Sequence, residues 1–478
     1  MNGYEPRGVA GSPANPPGLA RSHLPHRAHV GAPELEVADI QGNVINGYSH
    51  TDAAYVFVRV ADAAGARRWL GSLLEHVTTA EPWREVPATT LNISFTWTGL
   101  AALGVDQGVL DSFPEEFRQG MAARHQWLGD RGPSAPGNWD EGLGTGEAHV
   151  KVDIHAVDNE TLDERCAWLH AGIDATGGAV VVVHDQRADL LAGGHDHFGF
   201  ADGIARPAIR GSGLAARPGD GLPVPGGGWR SIRAGEFVLG YEDEDGGLPE
   251  APAPPFDRNA TFEVYRKMHM DVAGFRRYFA EAARHYPGGA EMLAAKVVGR
   301  WPDGTPLSLS PDRPDPAIAN DPERVNDFLY EDDPEGVKCP LGAHIRRTNP
   351  RDHDGMFGGK LSNRHRIIRR GRPYGPPLPA GVTEDDGVER GLIFRCFQAS
   401  IARGFETIQA LWVDDGDGLH TGADKDFLIG DGTSTNKMTV QGSPPFILTP
   451  QPMFSVIKGG EYLFRPSLSA LRALAAGG

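Results

Sequence analysis

The chain has 478 residues and a formal net charge of −17, from 46 Lys and Arg against 63 Asp and Glu. Such acidity argues against a nucleic-acid partner, because phosphate neutralisation needs clustered Lys and Arg, and no run approaches the ~18 apolar residues of a membrane span. The length allows two or three domains, each with its own core, and 63 Gly with 38 Pro predict long ordered loops between elements.

The first ~35 residues are rich in Pro, Gly, Ala and His, with no apolar stretch and no twin arginine. They read as an irregular arm over 1–36 rather than an export signal, which makes the cytoplasm the expected location. Cys166, Cys339 and Cys396 lie far apart. They cannot build a disulfide framework or a Cys-only zinc site, and three reduced thiols fit a reducing compartment.

After the arm, Ala53 to Ala61 reads as a strand, with Tyr55, Phe57 and Arg59 alternating against Val56, Val58 and Val60. A helix follows over Ala63 to His76, with Ala66, Leu70, Leu73 and Leu74 on one face. Thr89 to Trp97 is a second strand, and Thr98 is the expected N-cap of the helix that succeeds it. Ala148 to Val157 alternates as a strand, Asn159 starts a helix, and Ala179 to Gln186 closes the set. This β-α-β-β-α-β order is that of a ferredoxin-like, or split βαβ, unit.

A Pro/Gly break over 217–228 divides a first domain, 37–216, from a second, 217–478. The second shows the same grammar: strands at Glu236 to Tyr241 and Thr261 to Met268, then a helix from Val272 to His285. Later come a strand from Gly391 to Gln398, a helix from Ser400 to Trp412 and a closing strand within 450–466. An irregular, basic insertion over roughly 286–390 interrupts it, and long irregular segments inside a domain tend to be functional. The expected fold is α+β, two ferredoxin-like halves with antiparallel sheets.

Two segments carry chemistry. Gly193 to Pro207 places Asp202 before Gly203 on a tight turn between aromatic residues. Cys339 to Asp352 with Asn363 to Pro376 holds His344, His353 and His365 and eight arginines between 346 and 372. In so acidic a chain, a buried carboxylate-bearing cofactor is a better partner for that cluster than RNA. A competing reading takes His195, Asp196 and His197 as a non-haem iron site of two His and one carboxylate.

In combination these motifs resemble the dye-decolorizing peroxidases, a family of haem enzymes built from two ferredoxin-like halves. The resemblance runs from Asp39–Tyr48 through the GFADG turn, CPLGAHIRRTNPR, HRIIRRGRPYGP and GLIFRCFQASI to GGEYLFRPSLSAL, and its style is that of the longer cytoplasmic subgroup. Two departures stand out: Ala205-Arg206-Pro207 where the family often has Ser-Gln-Pro, and Ala201 before Asp202 where a charged residue is frequent.

The resemblance implies haem b (iron protoporphyrin IX) held in the second half, with His344 as the iron ligand. It implies Asp202 as the distal acid/base, Arg369 as the distal arginine, and Leu392 and Phe394 as the apolar wall of the pocket. Arg346 or Arg347 is the expected partner of the haem propionates, and Asp426 the acceptor for the second nitrogen of His344. The implied activity is peroxidase: hydrogen peroxide is reduced by way of an oxoferryl intermediate, and dyes, phenols or other one-electron donors are oxidised. Tyr374, Trp301 and Trp412 are candidate rings for passing electrons from bulky donors. The alternative is a haem carrier or sensor with incidental peroxidase activity. Oligomeric state is left open.

Overall fold

The computed structural model describes Gly31 and residues 34–353, 362–417, 421–432, 437–449 and 453–477. Most of the expected N-terminal arm lies outside the described residues. Its end does not: Leu35 and Val37 are buried against Ile209, Ile232 and Phe237.

In the first half, β1 (Asp52–Val60), α1 (Ala63–Leu73), β2 (Thr89–Phe95), β3 (Val150–Ala156), α2 (Asn159–Asp174) and β4 (Val180–Asp189) follow the expected order. Local chemistry sets the helix starts. The Asp62 side chain accepts from the Gly65 N–H and that of Asp158 from the Thr161 N–H, each satisfying a donor that the first turn leaves orphaned. The helix after β2 is capped by Thr96 and not by Thr98: the Thr96 hydroxyl accepts from Gly99 N–H at 3.0 Å. A shift of two residues follows because β2 ends at Phe95, and the first residue to leave the strand takes the cap.

The second half comprises β5 (Thr261–Met270), α3 (Val272–Ala282), the short helix α4 (His344–Thr348) and the edge strands β6 (Ile368–Arg369) and β7 (Arg372–Tyr374). β8 (Gly391–Gln398), α5 (Ala402–Val413), β9 (Ser455–Arg465) and α6 (Leu468–Ala476) complete it. α5 is a π-helix, with i→i+5 bonds such as Glu406 N–H to Ile401 O. The expected strand at Glu236 to Tyr241 does not form. Ala234–Glu236 is a tight turn, and Phe237, Val238 and Leu239 behind it are wholly buried; a short apolar run buried all round has no periodicity to tell it from a strand. The edge strand of this half lies instead in the arginine-rich segment, where β6 and β7 pair with β8. Pieces of two and three residues are too short to alternate visibly.

Strands β1 to β9 are antiparallel neighbours in one nine-stranded sheet, in the order β4-β1-β3-β2-β9-β5-β8-β6, with β7 also on β8; two short two-stranded sheets lie apart from it. Each half has the 4-1-3-2 strand order of a ferredoxin-like unit, and the halves meet at Phe464 of β9 opposite Phe95 of β2. β4 also packs against β7, so the sheet curls into a barrel. Its outer faces carry the helices. Its interior holds Tyr55, Phe57, Tyr265, Tyr374, Ile393 and Leu463, and a buried ionic cluster. There Arg465 of β9 reaches Asp153 of β3 at 2.6 Å and Glu263 of β5 at 2.8 Å, tying one half to the other. Lys151 and Arg395 complete the cluster. Burial alone would raise the Asp153 and Glu263 carboxyls, but the surrounding cations hold both below the usual carboxylate range. No helix among the described residues is long and apolar enough to cross a membrane.

Candidate active site

The Asp202 loop is built from its own backbone. Asp196 N–H donates to Phe200 O at 2.8 Å and Asp202 N–H to Gly194 O at 3.1 Å, while Ala201 N–H donates to Pro302 O at 2.9 Å. Gly203, with φ of 71°, turns the chain and donates to Asp202 Oδ1 at 2.6 Å. Opposite stands Arg369, the last residue of β6, with Nη1 3.6 Å from Asp202 Oδ1. The two side chains are 42% and 45% exposed, open enough to meet a ligand. They line a cavity of about 170 Å³ that also takes in Leu392 and Phe394. On β8 these two alternate with Ile393 and Arg395, which are buried within the barrel; the strand presents an apolar pair to the cavity, and Arg395 also lines it.

His344 opens α4. Its Nδ1 is 2.8 Å from Asp426 Oδ2, and Asp426 is fully buried. Asp426 Oδ1 accepts from the Leu428 and Ile429 N–H groups at 2.9 and 3.0 Å. Burial pushes this carboxyl up, but the charge and hydrogen bond of His344, with the Arg347 charge behind them, outweigh it and leave Asp426 below its ordinary value. An ionised carboxylate can only accept, so Nδ1 carries a proton toward Asp426 and Nε2 is the nitrogen that faces away from it. Nε2 makes no hydrogen bond among the described residues, and the side chain is 24% exposed.

His344 does not line the cavity around Asp202; one turn supports both. Gly299 and Gly304 have φ of 96° and 97°, and each replaces a side chain that the neighbours exclude. A Cβ at Gly299 would fall 2.4 Å from Ile345, next to His344, and one at Gly304 would fall 2.8 Å from Ile204, two residues from Asp202. The histidine and the aspartate, 142 positions apart, are thus set on the two ends of the 299–304 turn.

Other expected residues fall elsewhere. Arg346 donates to Asp333 and to the Cys339 carbonyl beneath the Tyr330 ring. Arg347 donates to the carbonyls of Trp412, Asp415 and Asp424. Both are buried structural ties, and neither reaches the cavity. Pattern alone could not separate them from Arg300 and Arg351, which gather around Asn326 with Oδ1 contacts of 3.0 and 2.6 Å. Burial and then the Arg351 charge press down on Arg300 and on Arg366, so positive charge accumulates here.

The iron reading of His195, Asp196 and His197 also fails. His197 is buried with Nε2 2.8 Å from the Tyr374 carbonyl oxygen, while His195 lines the cavity. Among the described residues no group of three or more His, Cys, Asp or Glu is gathered to hold a metal ion. Trp301 and Tyr374 are core residues, 3% exposed each; Trp412 is half-buried against His365. Burial pushes the Asp196 carboxyl up to about 7, which the sequence did not signal; Arg206, one of the departures from the family pattern, lines the cavity together with Arg370.

Comparison with known proteins adds four similarities. The model of the DyP dimeric alpha+beta barrel domain matches residues 39–190. Dye-decolorizing peroxidase msp1 of Mycetinis scorodonius is 32% identical over 476 residues, covering 92% of this chain and 88% of its own. Among solved structures, an ancestral D-type dye decolorizing peroxidase superposes with a TM-score of 0.81 at 29% identity, over 92% of this chain and 99% of that one. A dye-decolorizing peroxidase in complex with 2,6-dimethoxyphenol gives 0.80 at 28% identity, over 92% and 100%.

Proposed function

The chain belongs to the dye-decolorizing peroxidases and is a haem-dependent peroxidase; within it we propose that His344 is the axial ligand of haem b and that Asp202 and Arg369 work on hydrogen peroxide. The observation that carries this reading is the 2.8 Å contact from His344 Nδ1 to buried Asp426.

The residues present fit the cofactor. A single imidazole with its second nitrogen anchored, and no further protein ligands gathered near it among the described residues, suits a metal that arrives already ringed by a macrocycle. The apolar pair Leu392 and Phe394 suits a macrocycle face. The accumulated charge of Arg300, Arg351 and Arg366 suits its carboxylates, and Arg346, whose Nε has no partner, is a further candidate.

Bound there, haem supplies the redox chemistry of peroxide cleavage and of donor oxidation. The chain supplies the rest. Asp426 holds the proton on His344 Nδ1 and so directs Nε2 to the metal. Asp202 Oδ1 takes the proton from one peroxide oxygen and returns it to the other, which leaves as water. Arg369 stabilises the negative charge that develops as the O–O bond breaks and keeps Asp202 in place. Leu392 and Phe394 keep bulk water away from that step. The reductants are small-molecule one-electron donors such as phenols and dyes. The proposed compartment is the cytoplasm, supported by three buried free cysteines.

Titration of the purified chain with haemin, followed by one equivalent of peroxide and then a phenol, tests the assignment. A Soret band that changes with peroxide and is restored by the phenol is expected. The band is lost in His344→Ala. Full haem occupancy and parent turnover in that variant would remove His344 as the ligand, and a Soret band indifferent to peroxide would favour the carrier or sensor.

A further inference from the structure

The cavity at Asp202 has a second, buried side, lined by His155 of β3, Arg395 of β8, Arg372 of β7 and Asn43. Arg395 is wholly enclosed and His155 is 4% exposed, whereas Asp202 and Arg369 on the other side are nearly half open. Two polar atoms on the buried side lack a partner: Arg395 Nη1 and His155 Nδ1 make no hydrogen bond among the described residues. Tyr55, whose ring lies 4.8 Å from the Arg395 guanidinium, leaves its hydroxyl unpaired as well. Buried donors without acceptors cost stability unless a bound species meets them.

Charge on that side is out of balance. Lys151, Arg395 and Arg465 share two carboxylates, Asp153 and Glu263, and none of the five side chains has any exposure. Burial, and then the Arg395 charge, bring the Lys151 ammonium down to about 8, in keeping with one cation too many. Arg372 adds to the surplus. It donates to the carbonyls of Thr51 and Tyr48 at 3.1 and 3.5 Å, and the carboxylates that act on it, Asp52 and Asp189, are half-buried and exposed. Burial, with the Arg372 and Arg395 charges behind it, presses the His155 imidazole well below its ordinary pKa, so the ring stays neutral and has one N–H to give. The cavity volume of about 170 Å³ is several times the ~30 Å³ share of a water, so a small ion fits beside this wall.

We propose that the buried side of the cavity binds a small inorganic anion of halide size, held by Arg395 Nη1 and the His155 ring, which balances the surplus cation of the Lys151, Arg395 and Arg465 cluster. Arg465 of one half meets Asp153 of the other there, so the ion stabilises the joint between the halves. The site does not rest on the peroxidase reading.

Chloride-35 line broadening by the haem-loaded enzyme, with bromide as competitor, tests it. Broadening that bromide removes is expected, with the Soret band unmoved, and anomalous diffraction from a bromide-soaked crystal should place the ion between Arg395 and His155. His155→Phe should weaken bromide about ten-fold, the loss of one hydrogen bond to a charge. Lys151→Met removes the surplus cation while leaving both contact residues, and should also weaken bromide about ten-fold or more; water held by the same wall would not respond to that change. Absence of broadening, broadening that both variants leave unchanged, or water alone at that wall in the bromide-soaked crystal overturns the proposal. So does a Soret shift that follows the titration, which would place the ion beside the haem. Bromide bound by the haem-free chain but excluded by haem would give the site to a haem carboxylate and overturns it as well. If turnover with peroxide is intact and bromide does not bind, this inference alone falls; if bromide binds but no haem is taken up, the peroxidase reading falls and the site stands.

Discussion

Asp426 receives Nδ1 of His344 at 2.8 Å and two backbone N–H groups on its other oxygen, so these donors, the imidazole among them, help to hold a fully buried carboxylate ionised. The pair fixes both the tautomer and the direction of the ring. Replacing the carboxylate by an amide keeps the shape and removes the charge. Asp426→Asn should therefore retain haem less tightly or react with peroxide more slowly, by ~10- to 100-fold. Its iron should also show a more positive reduction potential, because the imidazole loses basicity. Spectroelectrochemical titration checks the potential, and an unchanged value would show that Asp426 only packs.

Asp202 and Arg369 are separable by kinetics. Arg369→Leu should keep haem and slow the peroxide step by ~10²- to 10³-fold, the cost of losing one charge-stabilising donor. Asp202→Asn should slow it by ~10²- to 10⁴-fold through loss of the proton carrier. Stopped-flow mixing with peroxide measures both, and whichever variant is slower names the residue that dominates cleavage.

The 299–304 turn supports the histidine from behind. Gly299→Ala places a Cβ 2.4 Å from Ile345 at a backbone φ of 96°. It should cost ~1–3 kcal/mol of stability and displace α4. Haem affinity should fall while far-ultraviolet circular dichroism stays that of the parent; parent-like haem affinity would show that α4 is positioned by other contacts.

Glu461 sits inside the barrel with one hydrogen bond, from Gly144 N–H at 2.6 Å. Burial pushes its carboxyl up from 4.5 to about 8. Between those values the native chain keeps a proton that the unfolded chain has released, so stability falls as pH rises through the window and levels off above it. Glu461→Gln keeps the acceptor and removes the titration. The variant should gain on the order of 2–4 kcal/mol over the parent at pH 8 and nothing at pH 4, as read by urea unfolding at the two values.

Phe464 joins the halves: it faces Phe95 across the β9–β2 pairing and packs against Phe113, Phe117, Phe256 and Phe262 with no exposure. Phe464→Ala should cost ~3–5 kcal/mol. A single denaturation transition shifted to lower urea would show both halves unfolding together; two separated transitions would show that they hold independently.

Much of this molecule was legible in one dimension. Alternation at Val56, Val58 and Val60, and the apolar face of Ala66, Leu70, Leu73 and Leu74, located the first half's elements to within a few residues, because strand and helix periodicity are local. The motif residues were legible too: Asp202, Arg369, Leu392 and Phe394 do meet at one cavity, and His344 does find Asp426.

What the sequence could not carry was the fate of groups whose roles depend on distant partners. Eight arginines between 346 and 372 look alike in a string. Only the fold spends Arg346 on Asp333 and Arg347 on three carbonyls, while leaving Arg369 at the open edge of β6. Only the fold closes two sheets into one at Phe464, buries an ionic cluster where the halves meet, and sets His344 and Asp202 on opposite ends of one turn. Hydrogen-bond satisfaction and burial are properties of neighbours in space. A residue's type fixes what it is able to do, and the neighbours that folding gives it decide which of those things it does.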